Sequence, residues 1–184
     1  MKKITLVAAF TLLGSLNSYA QNVGDFYGEV AYTSSSAEDV SSVNLGTFKP
    51  SAVSIGVGNV VAENFAVEGY ILQGASSDTR TISGIDVDLA IKTSYGFAIR
   101  PFINVTDDLE LFGRLGVMRV KSRATVSASG ASLSETSTQT HSMYGLGVAY
   151  KLSDKVKLTA DYKKLSTEDD VKVSLVSIGL RYAF

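Results

Sequence analysis

The chain has 184 residues, 45% hydrophobic and 19% charged, with a formal net charge of −1, one histidine and no cysteine. These values describe one domain, too apolar for disorder and too polar in its longest stretches for a helical membrane bundle. They exclude a clustered basic face for nucleic acid, any disulfide, thiolate zinc site, cysteine nucleophile or lipoprotein anchor, and a multi-histidine metal site; no cofactor is expected.

The first twenty residues stand apart. Met1-Lys2-Lys3 is basic, residues 4–16 are mostly apolar, and Ser18-Tyr19-Ala20 sets small residues where a signal peptidase reads. This is the pattern of a secretory signal peptide over residues 1–20, cleaved between Ala20 and Gln21. The apolar run is short for a span, which needs about 20 residues. Cleavage leaves 164 residues and, because two lysines leave with the peptide, a mature charge of −3.

From there on the hydrophobic period is 2, the period of a strand with two unlike faces. In chain order, Phe26, Val30 and Tyr32 oppose Tyr27, Glu29 and Ala31. Val53, Ile55 and Val57 oppose Ser54, Gly56 and Gly58, and Val67 and Ile71 oppose Glu68 and Tyr70. The clearest alternation runs over residues 89–100: Leu89, Ile91, Thr93, Tyr95, Phe97 and Ile99 against Ala90, Lys92, Ser94, Gly96, Ala98 and Arg100. Leu109, Leu111, Leu115 and Val117 oppose Glu110, Arg114 and Gly116, with Phe112 and Met118 on the polar side. Tyr144, Leu146, Val148, Tyr150 and Leu152 oppose Met143, Gly145, Gly147, Ala149 and Lys151. Leu158, Ala160 and Tyr162 oppose Lys157, Thr159, Asp161 and Lys163, and Val176, Ile178, Leu180, Tyr182 and Phe184 oppose Ser177, Gly179, Arg181 and Ala183.

Eight strands are therefore expected. Their connections are short at 62–64, 104–108 and 153–155, longer at about 34–50, 75–87 and 123–140, and short again at 166–170. Short turns on one side and long loops on the other fit an all-β, eight-stranded antiparallel up-and-down transmembrane barrel over residues 21–184.

Three features place the apolar face outside, toward lipid, rather than inside as in a soluble lipocalin-like barrel. The opposite face is rich in Gly, Ser and Ala, as a bore barely wide enough for side chains requires. Its charges have both signs, Glu29, Glu68, Glu110 and Asp161 against Lys92, Arg100, Arg114 and Arg181, which suits a closed interior network. Aromatics gather at the strand ends expected to face the periplasm: Phe26, Phe65, Phe102, Tyr150, Tyr182 and Phe184.

The chain ends with Gly179, Tyr182 and Phe184 in a pattern that resembles the C-terminal signal by which outer-membrane barrels are recognised for assembly. With Leu111-Phe112-Gly113-Arg114-Leu115-Gly116-Val117, the segment Tyr144-Gly145-Leu146-Gly147-Val148-Ala149-Tyr150-Lys151-Leu152 and the tail from Asp161-Tyr162, the mature chain resembles the small eight-stranded outer-membrane barrels. These are the OmpA-type transmembrane domain and the OmpX/Ail group, and the short final loop favours the latter. The resemblance implies an outer-membrane location with both termini in the periplasm, and no peptidoglycan-binding domain after Phe184. It implies outer-membrane lipid and lipopolysaccharide and the assembly machinery as partners, and loops that act in adhesion or resistance to host defence by binding host or matrix components.

Other activities leave weaker marks. Some barrels of this kind modify lipid A, and His141 has Ser142 and Glu135 nearby. Adjacent residues on a strand point to opposite faces, however, and the deacylase pattern places its serine two positions after the histidine, where this chain has Met143; no enzyme is expected. A general diffusion pore is not expected either, because eight-stranded bores are filled. The Ser- and Thr-rich loop at 123–142 reads equally as a solvated connection and as a recognition surface. Alternation of Val126, Ala128, Ala131 and Leu133 would extend its strands as a ribbon whose edge accepts a partner strand. The runner-up to surface binding is an envelope-integrity role without a ligand.

Overall fold

A computed structural model describes residues 22–39, 47–82, 84–128, 131–166 and 171–184. The expected signal peptide and the junction of Ala20 and Gln21 lie outside the described residues. Ten strands follow one another: β1 (Phe26–Asp39), β2 (Thr47–Phe48), β3 (Ser51–Ala62), β4 (Phe65–Ser76), β5 (Asp78–Ile82), β6 (Ile85–Asn104), β7 (Leu109–Ala128), β8 (Ala131–Lys151), β9 (Val156–Ser166) and β10 (Val171–Ala183). Eight of them form a ring in the order β1-β3-β4-β6-β7-β8-β9-β10, and β10 pairs antiparallel with β1 from Tyr27↔Ala183 to Asp39↔Val171, closing it. The other two, β2 on β1 and β5 on β6, occupy stretches expected as loop. β5 forms because a tight turn at Gly84 (φ +81°) folds it directly back on β6, from Ile82↔Ile85 to Asp78↔Leu89.

The ring is apolar outside. Ile55, Val57, Ile71, Val117, Ile178 and Leu180 are exposed, Phe97 is 68% exposed and Leu146 76%, the inverse of a soluble barrel. The short turns lie at one end. Asn64 adopts φ 63° between β3 and β4, a conformation asparagine tolerates better than most residues, and Thr106 Oγ1 accepts the Leu109 amide at 3.0 Å before β7. Both described ends of the chain sit here too, with the Phe184 amide bonded to the Phe26 carbonyl at 3.0 Å.

The bore is filled in layers. Nearest the short turns, Tyr27, Val60, Ala66, Phe102, Phe112 and Ala149 form one apolar cluster; toward the long connections, Ala52, Leu72, Ala98, Met118, Met143, Leu165 and Leu175 form a second. Phe102 therefore belongs to the interior and not to the aromatic rim. It shares the parity of Arg100, two residues away on an extended strand, so both point inward. Phe26, Phe65, Tyr150 and Phe184 do face outward at the short-turn end. The far edge of the apolar band carries a second set of outward tyrosines, Tyr32, Tyr95, Tyr144 and Tyr162, which the sequence reading did not separate from the strand faces.

The strand with the cleanest alternation breaks its own pattern. Between Ile91↔Ser122 and Ser94↔Val120 the β6–β7 register shifts, so two residues, Lys92 and Thr93, oppose the single residue Lys121. A bulge of this kind exchanges the faces on either side of it. Leu89 and Ile91, expected to face lipid with Tyr95 and Phe97, instead share the interior face with Val120 and Ser122.

Space inside is limiting. A Cβ added at Gly58 would run into the Tyr27 ring, whereas one at Gly69, on the outer face, would reach only ordinary contact with Phe97 at 3.5 Å. Gly58→Leu is expected to lower barrel stability by about 1–3 kcal/mol, the usual cost of overpacking, and Gly69→Ala to leave it within about 0.5 kcal/mol. Urea titration of the refolded protein in lipid vesicles, read by tyrosine fluorescence, checks the pair.

Candidate functional site

Between the two apolar clusters lies a layer of buried charge. Its members come from six ring strands: Glu29 (β1), Glu68 (β4), Arg100 (β6), Glu110 and Arg114 (β7), Lys157, Asp161 and Lys163 (β9) and Arg181 (β10). The neighbours of the large side chains are small. Glu68 pairs across the sheet with Gly58 and Ala98, Arg114 with Gly145, Asp161 with Gly147 and Ser177, and Arg100 with Ala66. A narrow bore accommodates a long side chain only where its lateral neighbours lack bulk, which is the physical origin of the Gly/Ala/Ser-rich inner face.

Arg114 is the hub. Its Nε donates to Glu68 Oε2 at 2.7 Å, its Nη2 to Glu29 Oε1 at 2.7 Å, and its Nη1 to Asp161 Oδ2. Arg181 holds Glu29 Oε2 through Nη2 at 2.9 Å and Glu110 Oε1 through Nη1 at 3.2 Å. Arg100, 0% exposed, donates from Nη2 to the same Glu110 oxygen and lies 3.4 Å from Glu68 through Nε. Lys157 Nζ meets Glu110 Oε2 at 2.7 Å, Lys163 Nζ meets Asp161 Oδ1 at 2.6 Å and donates to Ser177 Oγ at 3.0 Å, and the Tyr27 hydroxyl donates to Glu68 Oε1 at 2.7 Å. The guanidinium groups also rest on the rings beneath them: Arg100 is 4.1 Å from the centroid of Phe112, and Arg181 is 4.6 Å from that of Tyr27.

Seven of the eight charges expected to form an interior network are thus brought together: Glu29, Glu68, Arg100, Glu110, Arg114, Asp161 and Arg181. Lys92 is not. It stands at the β6 bulge opposite Lys121, and among the described residues it takes no part in the ion pairs of the layer. Sequence reading placed Lys157 and Lys163 on the correct face but left them out of the network, along with Tyr27. Their signal was the shared parity with Asp161 on β9.

The arrangement is a plug. Carboxylates here face guanidinium and ammonium groups, and among the described residues no group of three or more His, Asp or Glu side chains could hold a metal ion. The cavity beside Arg114 and Tyr70 measures about 30 Å³, room for a water or two. At the opposite end of the bore, His141 donates from Nδ1 to the Ser166 carbonyl at 3.3 Å; Ser142 is exposed and Met143 buried, so the interior position after His141 holds a thioether in place of a nucleophile. The terminal residues form part of the closing seam: Tyr182 and Phe184 meet edge to face at 5.6 Å, and Gly179 packs against Ala31 of β1.

Beyond the barrel the strands continue as a sheet. β7 and β8 stay paired to Ala128↔Ala131, β6 accompanies β7 to Asp86↔Ser127, and β5 lies on β6. β9 reaches β8 only as far as Ser142↔Ser166, where the His141 ring also meets it, so residues 131–140 of β8 pair on one side alone among the described residues.

Removing the hub tests the plug. Arg114→Met leaves Glu29, Glu68 and Asp161 together with one cation fewer, and uncompensated buried charge costs about 3–5 kcal/mol. The variant is expected to unfold in urea at correspondingly lower concentration, while Lys92→Met shifts stability by less than about 0.5 kcal/mol.

The fold has close parallels among solved structures. The attachment invasion locus protein Ail of Yersinia pestis is 23% identical and superposes with a TM-score of 0.61, over 88% of this chain and 99% of that one. Neisserial surface protein A gives 21% identity and a TM-score of 0.60, over 86% and 97% of the two chains, and OprG of Pseudomonas aeruginosa 13% and 0.56, over 88% and 96%. No curated protein matches the chain by sequence. A family model described as the outer membrane protein beta-barrel domain matches residues 5–184, and with the closed ring, its apolar exterior and its plugged bore, the chain belongs to that family of outer-membrane barrels.

Proposed function

We propose that this protein is a non-enzymatic surface protein of the outer membrane whose external sheet binds host or matrix components. The observation that carries the reading is the edge of β8 over residues 131–140, for which the described residues supply no second pairing strand. An unpaired strand presents a row of backbone donors and acceptors, and proteins normally blunt such edges with lysine, proline or a cover. Residues 131–140 contain no lysine and no proline, and Glu135 is their single charge. Ser and Thr dominate the rest, so the edge is soluble yet open to pairing with an extended segment of a partner.

Several assignments complete the proposal. Residues 1–20 are removed on export, after Ala20. Gly179, Tyr182 and Phe184 serve the assembly machinery as its recognition signal. The short turns and both termini face the periplasm, the outward tyrosines meet the outer leaflet with its lipopolysaccharide, and the external sheet faces the medium. Ail, similar in fold at 24% identity, has been solved in complex with the heparin analogue sucrose octasulfate; at that identity the likeness carries the fold alone, and the reading rests on the open edge. The plugged bore supports the absence of a general pore.

The deciding experiment removes the edge and keeps the barrel. Deletion of residues 125–138, with outer-membrane insertion verified by heat-modifiable mobility, is expected to abolish adhesion of expressing cells as fully as deletion of the whole protein. Adhesion at the wild-type level, combined with envelope weakening only in the full deletion, would overturn the reading and assign the function to the barrel itself.

A further inference from the structure

A second cavity, of about 450 Å³, lies in the outer part of the bore above the Leu72, Met118, Leu165 and Leu175 layer. Leu89, Ile91 and Val120 build its walls. The first two are there because the β6 bulge turned them inward, so the register break that removes Lys92 from the ionic layer also creates an apolar chamber above it. Among the described residues the lining holds no Asp, Glu, Lys or Arg, and His141 is its one titratable residue. The size and the apolar lining with few polar groups are those of a small-molecule site.

One wall group has no structural task. Ser94 is 1% exposed and lines the chamber, and its Oγ has no hydrogen-bond partner among the described residues. Of the other lining hydroxyls, Ser35 Oγ donates to the Pro50 carbonyl at 2.9 Å, and Ser122 and Ser137 are reached by solvent, so among the described residues Ser94 is the lining serine that is both buried and unpaired. A buried hydroxyl left unpaired is destabilising, a cost that a ligand carrying one hydrogen-bonding group removes. Below the chamber the bore is shut by the second apolar cluster and then by the ionic layer, so a molecule that enters is held rather than passed.

We infer that this chamber is a binding site for a small, uncharged, mainly aliphatic molecule with a single hydroxyl or carbonyl group, which Ser94 recognises. The inference is independent of the surface-binding role of the external sheet. Its test uses the sequence: of three methionines, Met118 lines the chamber, Met143 lies in the layer beneath, and Met1 belongs to the leader. Protein purified from outer membranes with ¹³C-methyl methionine and placed in lipid nanodiscs is titrated with 1-decanol, and with decanoate as the charged counterpart. A saturable shift of the Met118 methyl is expected, unchanged in midpoint at a fixed decanol-to-lipid ratio when protein is diluted; decanoate is expected to produce none. Ser94→Val is expected to weaken the response about tenfold, and Val120→Trp, which fills the chamber, to abolish it. If Val120→Trp does not fold, Ser94→Val decides alone. A Met118 response that is absent or non-saturable, equal for decanoate, or unaltered in Ser94→Val overturns the assignment.

Discussion

Everything in this molecule follows from the seam between β1 and β10. Hydrocarbon offers no partner to a backbone amide or carbonyl, so a sheet survives there only when its first and last strands pair. Thirteen residue pairs, from Tyr27↔Ala183 to Asp39↔Val171, make that closure. With the ring closed at eight strands the bore is narrow, and the narrowness dictates the inner residues: glycine, alanine and serine beside each long side chain. The same geometry turns the hydrophobic residues outward, so what looks like a core pattern in the sequence is the lipid-facing surface.

The ionic layer is the second consequence. A face that cannot be apolar on both sides of the sheet must still fill its space, and long charged side chains fill it when each finds a counterion. Three arginines and two lysines share four carboxylates, with Phe112 and Tyr27 beneath the guanidinium planes. Buried ion networks are weak sources of net stability compared with apolar packing of the same volume. What this one supplies is register: Glu29 lies directly across the seam from Arg181, and a slip of one residue would move either charge to the lipid side. The network and the closure therefore support each other, and neither extends into the region where the sheet leaves the ring.

That region begins at the β6 bulge. Below it, β6 obeys the barrel parity; above it, the faces exchange, Leu89 and Ile91 turn in, and β5, β6, β7 and β8 continue as an open sheet. One inserted residue thus separates the closed, membrane-adapted ring from a sheet whose β8 edge has no second partner among the described residues. The two proposals occupy this upper half, one on the edge of β8 and one in the chamber that the bulge makes apolar.

The period-2 pattern was enough to determine the all-β class, the eight ring strands, the short turns at one end, the outward apolar face and most of the buried charges, because each depends on the alternation of side chains along a single strand. Position along one strand could not decide what depends on neighbouring strands. Lys92 has the parity of Arg100 but is separated from it by a register break that exists only in the β6–β7 pairing. Lys157 and Lys163 join the network because Glu110 and Asp161 lie within reach inside the closed bore. Local sequence determined which way most side chains point; the tertiary structure alone decided the faces of Leu89 and Ile91, which side chains meet and which strand edge lacks a partner among the described residues, since these arise from pairing between segments far apart in the chain.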